Sequence, residues 1–327
     1  MTVQNPPRKH HFIPVSYLDE WCSIRILKNK EERFILKHSV VNKNKIVSAR
    51  KNPSQVGYKI DLYTVEGISI SRKYEIEKIL LQKIDRSGPE AIRNIIKNRI
   101  ITPNLKRSVA EFMFSILQRN PARVSNFFKL YNMIDSIIQD FLKSNSSKKG
   151  YEHFNRNRNR EEENAEFIKL FESIIKNDDM ISKISEMEWD LVHSEHCELL
   201  TSDRPIVGGE GILHALNMNY KGFYFLFPIN KEFFIMGTSD ADARQTFLKC
   251  KEKLIFELNK NICKMCDESV YSHSSNNNDF IYRYIKKGET GNLGISEQKN
   301  HEFEEKMTKI ISKFVMEEEG KNSPPLH

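Results

Sequence analysis

The feature that most constrains the fold of this chain is a change in hydrophobic periodicity along its 327 residues. Residues 10–70 contain short alternating runs, such as 23–27, that predict strands. From about 73 to 145 the apolar residues recur every three or four positions, which predicts amphipathic helices. Beyond residue 188 strand-like and helical runs are mixed. The sequence therefore predicts an α+β fold with an N-terminal β-rich unit, a central helical bundle and a C-terminal mixed α/β layer.

The boundaries between these units are predicted from shifts in composition. We place the N-terminal unit at 1–70, the bundle at 71–143 and a linker at 144–164, because this last stretch is rich in Ser, Asn, Lys and Arg. The rest, 165–327, is predicted to hold a helix and the mixed C-terminal region, packed as one globular body.

Three local signals refine the prediction of helices and strands. Gly88-Pro89 is expected to interrupt the first long helix, and Pro121 to end one helix or open the next. Residues 282–284 (YRY) are expected to form a final edge strand.

Composition narrows the class of protein. The chain has no run of eighteen apolar residues and no hydrophobic leader, and its five cysteines are an odd number in a long chain. We therefore expect a cytoplasmic protein in a reducing environment, without a membrane-spanning segment. The net charge is +7, and residues 1–60 carry many cations and few acids, so this part of the chain would attract phosphates.

Two adjacent histidines near the N-terminus form the first candidate site. Residues 8–14 read RKHHFIP, so His10 and His11 lie on opposite sides of a short extended segment that Pro14 ends. Imidazole titrates near neutrality and often binds metals, so the pair suggests a metal site or a general base. The alternative is an exposed basic arm without a chemical role.

A turn with the sequence TSDRP, at 201–205, is the second candidate. A strand is expected to deliver Asp203 to the edge of a sheet, where Pro205 forces Arg204 into an extended exit. Loops at such edges often carry catalytic residues. The alternative is that Asp203 accepts hydrogen bonds from its own turn.

A zinc site is a weaker candidate. Residues 193–197 (HSEHC), with Cys263 and Cys266, could supply four ligands, but the Cys-x-x-Cys pair lies in a helix-like run. We favour the alternative that both cysteines pack as small apolar residues. The chain has no nucleophile elbow, and the glycines at 208–211 lack the lysine of a phosphate-binding loop.

The order of these segments resembles that of domain-of-unknown-function family 4238, over roughly residues 9–275. The histidine string at 10–14 and the SDRP string at 202–205 carry the resemblance. Weaker matches are Tyr17-Leu18, Asp61-Leu62-Tyr63, Arg119-Asn120-Pro121, Trp189 and Phe227-Pro228. The central helix departs from the family pattern, because Ile116 stands where the family usually has glutamine. The resemblance implies no established activity.

The residues favour a metal-dependent phosphodiesterase or nuclease, such as a toxin or phage-defence effector, with nucleic acid as its partner. We expect His10, His11 and Asp203 to converge and hold Mg²⁺, Mn²⁺ or Zn²⁺, with Arg119 or Arg204 stabilising phosphate charge. In this hypothesis His10, His11, Asp203 and Arg119 are catalytic, and Arg8, Lys9 and Arg204 bind phosphate.

Two other classes of function stay open. In one, the chain is a non-enzymatic binding or regulatory module in which the same histidines and Asp203 form a structural cluster, with a protein partner or a second copy of the chain. In the other, it senses a nucleotide. The string at 10–14 resembles the opening of finger-type nucleases, but the asparagine and histidine that should follow are absent, and His38 stands alone.

Overall fold

The computed structural model describes residues 9–27, 30–41, 45–63, 82–144, 160–208 and 224–285, and it confirms an α+β fold. Arg8 and most of the predicted linker lie outside the described residues. Two helices flank that linker: one ends at Ser144 and the next begins at Arg160.

The helices of the described residues are, in chain order, α1 Val15–Leu18, α2 Gln82–Asn98, α3 Pro103–Arg119, α4 Pro121–Ser144, α5 Arg160–Ile175, α6 Asp178–Glu186, α7 Ala241–Lys249, α8 Lys251–Met265 and α9 Asn278–Tyr284. The strands are β1 Lys9–His11, β2 Ser23–Leu27, β3 Lys30–Val41, β4 Lys45–Lys51, β5 Tyr58–Ile60, β6 Glu188–His193, β7 Thr201–Ser202, β8 Val207–Gly208, β9 Tyr224–Pro228, β10 Phe233–Thr238 and β11 Ser269–Ser272.

Within the described residues, the strands form three antiparallel sheets. β1 pairs with β5 near the N-terminus, and a four-stranded sheet has the order β6-β10-β9-β8. The remaining sheet has the order β2-β3-β11-β7, with β4 also paired to β3. Because β3 lies beside β11, the N-terminal and C-terminal parts of the chain share one sheet.

Polar residues cap the first turns of α3 and α4. The Thr102 hydroxyl accepts from the Leu105 backbone N–H at the start of α3, and the Asn120 side chain accepts from the Ala122 N–H at the start of α4. Pro121 occupies the first position of α4, where its missing N–H has no helical partner to lose. Pro121 therefore opens the helix.

The expected interruption at Gly88-Pro89 is wrong, because α2 runs through both residues. Pro89 has no N–H to donate to the backbone carbonyl of Asp85, four residues earlier. That carbonyl instead accepts a hydrogen bond of 2.8 Å from the Ser16 hydroxyl. Gly88 lets α3 approach closely, since a Cβ there would lie 2.3 Å from Cγ of Phe112.

The expected edge strand at 282–284 is also wrong, because these residues belong to α9. Ile281 is buried, and the Phe280 and Tyr284 rings lie 4.7 Å apart on one side of the helix. The contact between side chains four residues apart stabilises a helix here, whereas the short YRY run alone indicated a strand.

Buried apolar residues from Phe12 to Ile285 form one hydrophobic core, which includes Cys263 and Cys266. The N-terminal segment contributes Tyr17, whose ring stacks on Phe227 at 5.4 Å. In the part of the chain that the structure describes, no helix is both long and apolar enough to span a membrane.

Candidate functional site

His10 is built into the interior. Strand β1 pairs with β5, which brings the following turn to the His10 ring. Asp61 has a left-handed φ of 54°, and the chain then turns so that the Tyr63 backbone N–H donates to His10 Nδ1 at 3.0 Å. The two rings also stack, with centroids 5.3 Å apart. This arrangement gives His10 a structural role and removes Nδ1 as a metal ligand.

His11 points to the other side of β1 and keeps one nitrogen without a partner. Its ring packs at 5.6 Å against Tyr58, and it forms a hydrogen bond with the Ser54 backbone. Nε2 is buried and has no hydrogen-bond partner among the described residues. We assign the bond to Ser54 to Nδ1, because Nε2 has no partner, and this assignment puts the proton on Nδ1 and leaves Nε2 as an acceptor.

Burial lowers the pKa of the His11 imidazole below its ordinary value. The charges of Lys9 and Arg119 act in the same direction, and Asp85 and the Ser54 bond oppose them. His11 is therefore neutral at physiological pH, the form in which Nε2 can accept a proton.

A buried ion pair between Asp85 and Arg119 lies close enough to His11 to affect its pKa. Arg119 is fully buried, and its guanidinium donates to both carboxylate oxygens of Asp85, at 3.0 and 2.8 Å. Its Nε donates to the Ser115 carbonyl at 3.3 Å. Burial alone lowers the pKa of Arg119, but the Asp85 carboxylate outweighs this and the pKa is raised. Arg119 is thus occupied by Asp85.

A cleft of about 500 Å³ lies between the N-terminal segment and the start of α2. Its polar lining consists of His11, Ser16, Asp19, Gln82, Asp85 and Arg86. Asp85 is part of both the buried pair and the cleft, since 27% of its side chain is exposed. The cleft thus combines a neutral imidazole, two carboxylates and one guanidinium.

Of the expected phosphate-binding residues, Lys9 is exposed beside the site, with its ammonium 4.9 Å from the centre of the Tyr58 ring. Arg204 lies elsewhere, where its guanidinium meets the Asp267 carboxylate at 3.4 Å. Arg8 is outside the described residues.

Asp203 is a buried brace within the fold. Its carboxylate accepts hydrogen bonds from the backbone N–H groups of Asp267, Glu268 and Ser269, at 2.8, 2.6 and 2.8 Å. Burial and the charge of Asp267 raise the pKa of Asp203 to about 7, against these three bonds. Asn120 completes the brace by donating to Asp267 at 2.9 Å.

The structure does not bring His10, His11 and Asp203 together as a metal site. The described lining of the His11 cleft contains no residue of the 201–205 turn. Within the described ranges there is also no group of three or more His, Cys, Asp or Glu side chains that could hold a metal ion. The physical reason is that backbone amides already bind the Asp203 oxygens, and the Tyr63 amide binds His10.

The candidate zinc ligands, residues 193–197 with Cys263 and Cys266, do not form a metal site among the described residues either. His193 stacks on Phe233 at 4.6 Å, whereas Cys263 and Cys266 lie in the core. Burial raises the pKa of the Cys263 thiol to about 12, so it stays protonated. His38 is buried between the Ser48 and Ser272 hydroxyls, at 2.8 and 2.9 Å.

Sequence reasoning did not identify Asp85, Ser16 or Arg86 as site residues. One signal could have pointed to Asp85: Pro89, inside a helical run, leaves the carbonyl of residue 85 in need of an outside donor. The ion pair with Arg119 spans 34 positions and carries no comparable local signal.

Comparisons with known proteins give a family and little else. A family model described as a protein of unknown function, DUF4238, matches residues 9–276. Over 97 residues the chain is 32% identical to the aspartate carbamoyltransferase regulatory chain of Methanococcus aeolicus. That stretch is 29% of this chain and spans only 59% of the relative's length. No solved structure matches at a significant level.

Proposed function

This chain belongs to the DUF4238 family of proteins of unknown function, and we propose that it is a phosphodiesterase that cleaves nucleic acid with His11 as its catalytic base. The observation that carries the proposal is that His11 lines an open cleft while its Nε2 atom has no hydrogen-bond partner among the described residues. The bond from Nδ1 to Ser54 holds the ring in the tautomer that a general base requires.

In the proposed reaction, Nε2 accepts a proton from a water molecule as the water oxygen attacks phosphorus. The bond from phosphorus to the leaving oxygen breaks, and solvent protonates that oxygen. Arg86 lines the same cleft and would stabilise the added negative charge. Arg119 contributes indirectly, because it holds Asp85 in place beside the imidazole.

A divalent cation stays part of the proposal in a reduced form. We propose that the carboxylate of Asp19, which lines the cleft, would hold Mg²⁺ or Mn²⁺ together with water and substrate phosphate, since both oxygens of Asp85 already accept hydrogen bonds from Arg119. The cation would supply charge stabilisation for the phosphate. His10 and Asp203 are left out of this site.

The proposed setting is the cytoplasm, where cleavage of nucleic acid would be toxic to the cell. A role as a toxin or phage-defence effector is consistent with such an activity. The second candidate is a binding module, and one observation favours it: His10, Asp203 and Arg119 are all engaged in internal hydrogen bonds.

The test is a cleavage assay on single-stranded RNA, single-stranded DNA and duplex DNA, with Mg²⁺, Mn²⁺, Zn²⁺ or EDTA. The parent chain should cleave at least one substrate, and His11→Ala should reduce the rate by at least about 100-fold. The matched control is His196→Ala, which removes an exposed histidine and should cleave normally. Absence of cleavage by the parent under every condition would overturn the proposal in favour of the binding module.

A further inference from the structure

The meander formed by β2, β3 and β4 is strongly cationic. Its three strands carry seven Lys or Arg residues and two Glu residues. The proposed function uses none of them. The proposed chemistry of the His11 cleft therefore does not account for the excess of positive charge on this surface.

The strand register places two arginines beside one phenylalanine on the same face of this meander. Phe34 pairs with Ser23, two positions before Arg25, and Leu36 pairs with Arg50. Because side chains two residues apart share a face, Arg25, Phe34 and Arg50 lie on one side of the sheet. The guanidinium carbons are 5.7 and 5.1 Å from the centre of the Phe34 ring.

Phe34 belongs to the surface and not to the core. Its neighbour Ile35, on the opposite face, is fully buried, whereas Phe34 is half-buried and lies outside the hydrophobic core of the described residues. Arg50 is exposed, and Arg25 is only about one-third exposed and pairs with Glu32. The ring is thus held at the surface by cations.

Two further aromatic side chains extend the same face. The His273 ring lies 3.3 Å from the Ser23 hydroxyl, and Ser23 is the partner of Phe34. At the other end, the exposed Tyr282 hydroxyl is 2.9 Å from the Ser48 hydroxyl. We call the surface formed by Arg25, Phe34, Arg50, His273 and Tyr282 the Arg–Phe face; it contains two arginines and three aromatic rings.

We propose that the Arg–Phe face binds single-stranded nucleic acid. Flat aromatic and guanidinium groups stack on unpaired bases, and clustered cations follow the phosphate backbone. Paired bases in a duplex do not offer their faces for such stacking. The inference deepens the proposed function by naming a single strand as its substrate class, but it stands on a surface separate from the His11 cleft.

The experiment measures fluorescence anisotropy with labelled oligonucleotides of about 12 nucleotides, using the full chain with His11→Ala so that no cleavage occurs. We expect single-stranded RNA or DNA to bind more tightly than duplex DNA or heparin. Phe34→Ala should weaken binding about tenfold or more, and Phe34→Trp should retain it. The double variant Arg25→Gln, Arg50→Gln should have a shallower slope of log K against the logarithm of the salt concentration. The slope should fall in magnitude by about 1.4, because each lost phosphate contact removes about 0.7.

The matched control is Lys249→Gln with Lys253→Gln, which removes the same charge from exposed positions on α7 and α8. Equal weakening by both double variants, or binding to heparin as tight as to the single strand, would overturn the proposal and leave a non-specific cationic surface. Circular dichroism checks that each variant folds. If the parent chain binds a single strand but cleaves no substrate, the proposed cleavage activity is overturned and the proposed binding surface is retained.

Discussion

Replacing either partner of the Asp85–Arg119 ion pair should lower the stability of the protein, but by different amounts. Arg119 is fully buried, whereas 27% of Asp85 is exposed to the cleft. Asp85→Ala therefore leaves a buried cation without its counter-charge, and Arg119→Met leaves a carboxylate that water can reach while most of the side-chain volume is kept.

The expected magnitudes follow from this difference in exposure. Removing one partner of a buried pair costs about 3–5 kcal/mol, which is our estimate for Asp85→Ala. Arg119→Met should cost about 1–2 kcal/mol, because hydration compensates Asp85 and the lost bonds are partly replaced by apolar contact. The double variant should be more stable than Asp85→Ala alone, because it no longer contains the buried charge.

The assay is urea unfolding at pH 7, followed by circular dichroism, for both single variants and the double variant. Asp179→Ala is a matched control, because Asp179 forms an exposed ion pair with Lys183 and should cost less than about 1 kcal/mol. The reasoning is refuted if Arg119→Met destabilises more than Asp85→Ala, or if Asp85→Ala costs no more than the control.

Three further predictions concern the interior. Burial lowers the pKa of His38 to about 4; the neutral ring then contributes stability above pH 6.5, and this contribution, about 3 kcal/mol, is lost as the pH falls towards 4. The loss is measured as the difference in the free energy of unfolding by urea between the parent and His38→Gln from pH 7 to pH 4, because Asp203, whose pKa is raised to about 7, changes stability in the opposite direction over this range in both chains. Asp203→Ala should lower the free energy of unfolding by about 3 kcal/mol or more, since three backbone N–H groups lose their acceptor; a loss below 1 kcal/mol in the same titration contradicts the brace. EDTA should leave the melting temperature unchanged, since Cys263 and Cys266 are core residues; a drop of several degrees with zinc at one per chain would reverse that assignment.

Local patterns of the sequence predicted the main elements well. The α+β class, the helices around Val109 and Val124 and the strand at 23–27 follow from periodicity, which depends on neighbouring residues. The errors arise where a distant contact decides. Pro89 stays helical because Ser16 satisfies the carbonyl that proline leaves open, and no local rule contains that donor.

The candidate site was predicted in part. The sequence pointed to His11, and the structure places it at a cleft with an unpartnered nitrogen. It also pointed to Asp203, whose environment consists of amides about 65 positions away along the chain. The alternative stated for Asp203, hydrogen bonds from its own turn, names the wrong donors, because the carboxylate accepts from backbone N–H groups of β11 and the turn before it.

The most direct test of the central claim is the pH dependence of kcat/KM for cleavage by the parent chain. If His11 is the base, the rate rises with pH through a midpoint below 6.5, the ordinary value for histidine, because burial lowers the His11 pKa. This limb should be absent from any residual activity of His11→Ala. A midpoint above 6.5, or an identical limb in His11→Ala, would contradict the account.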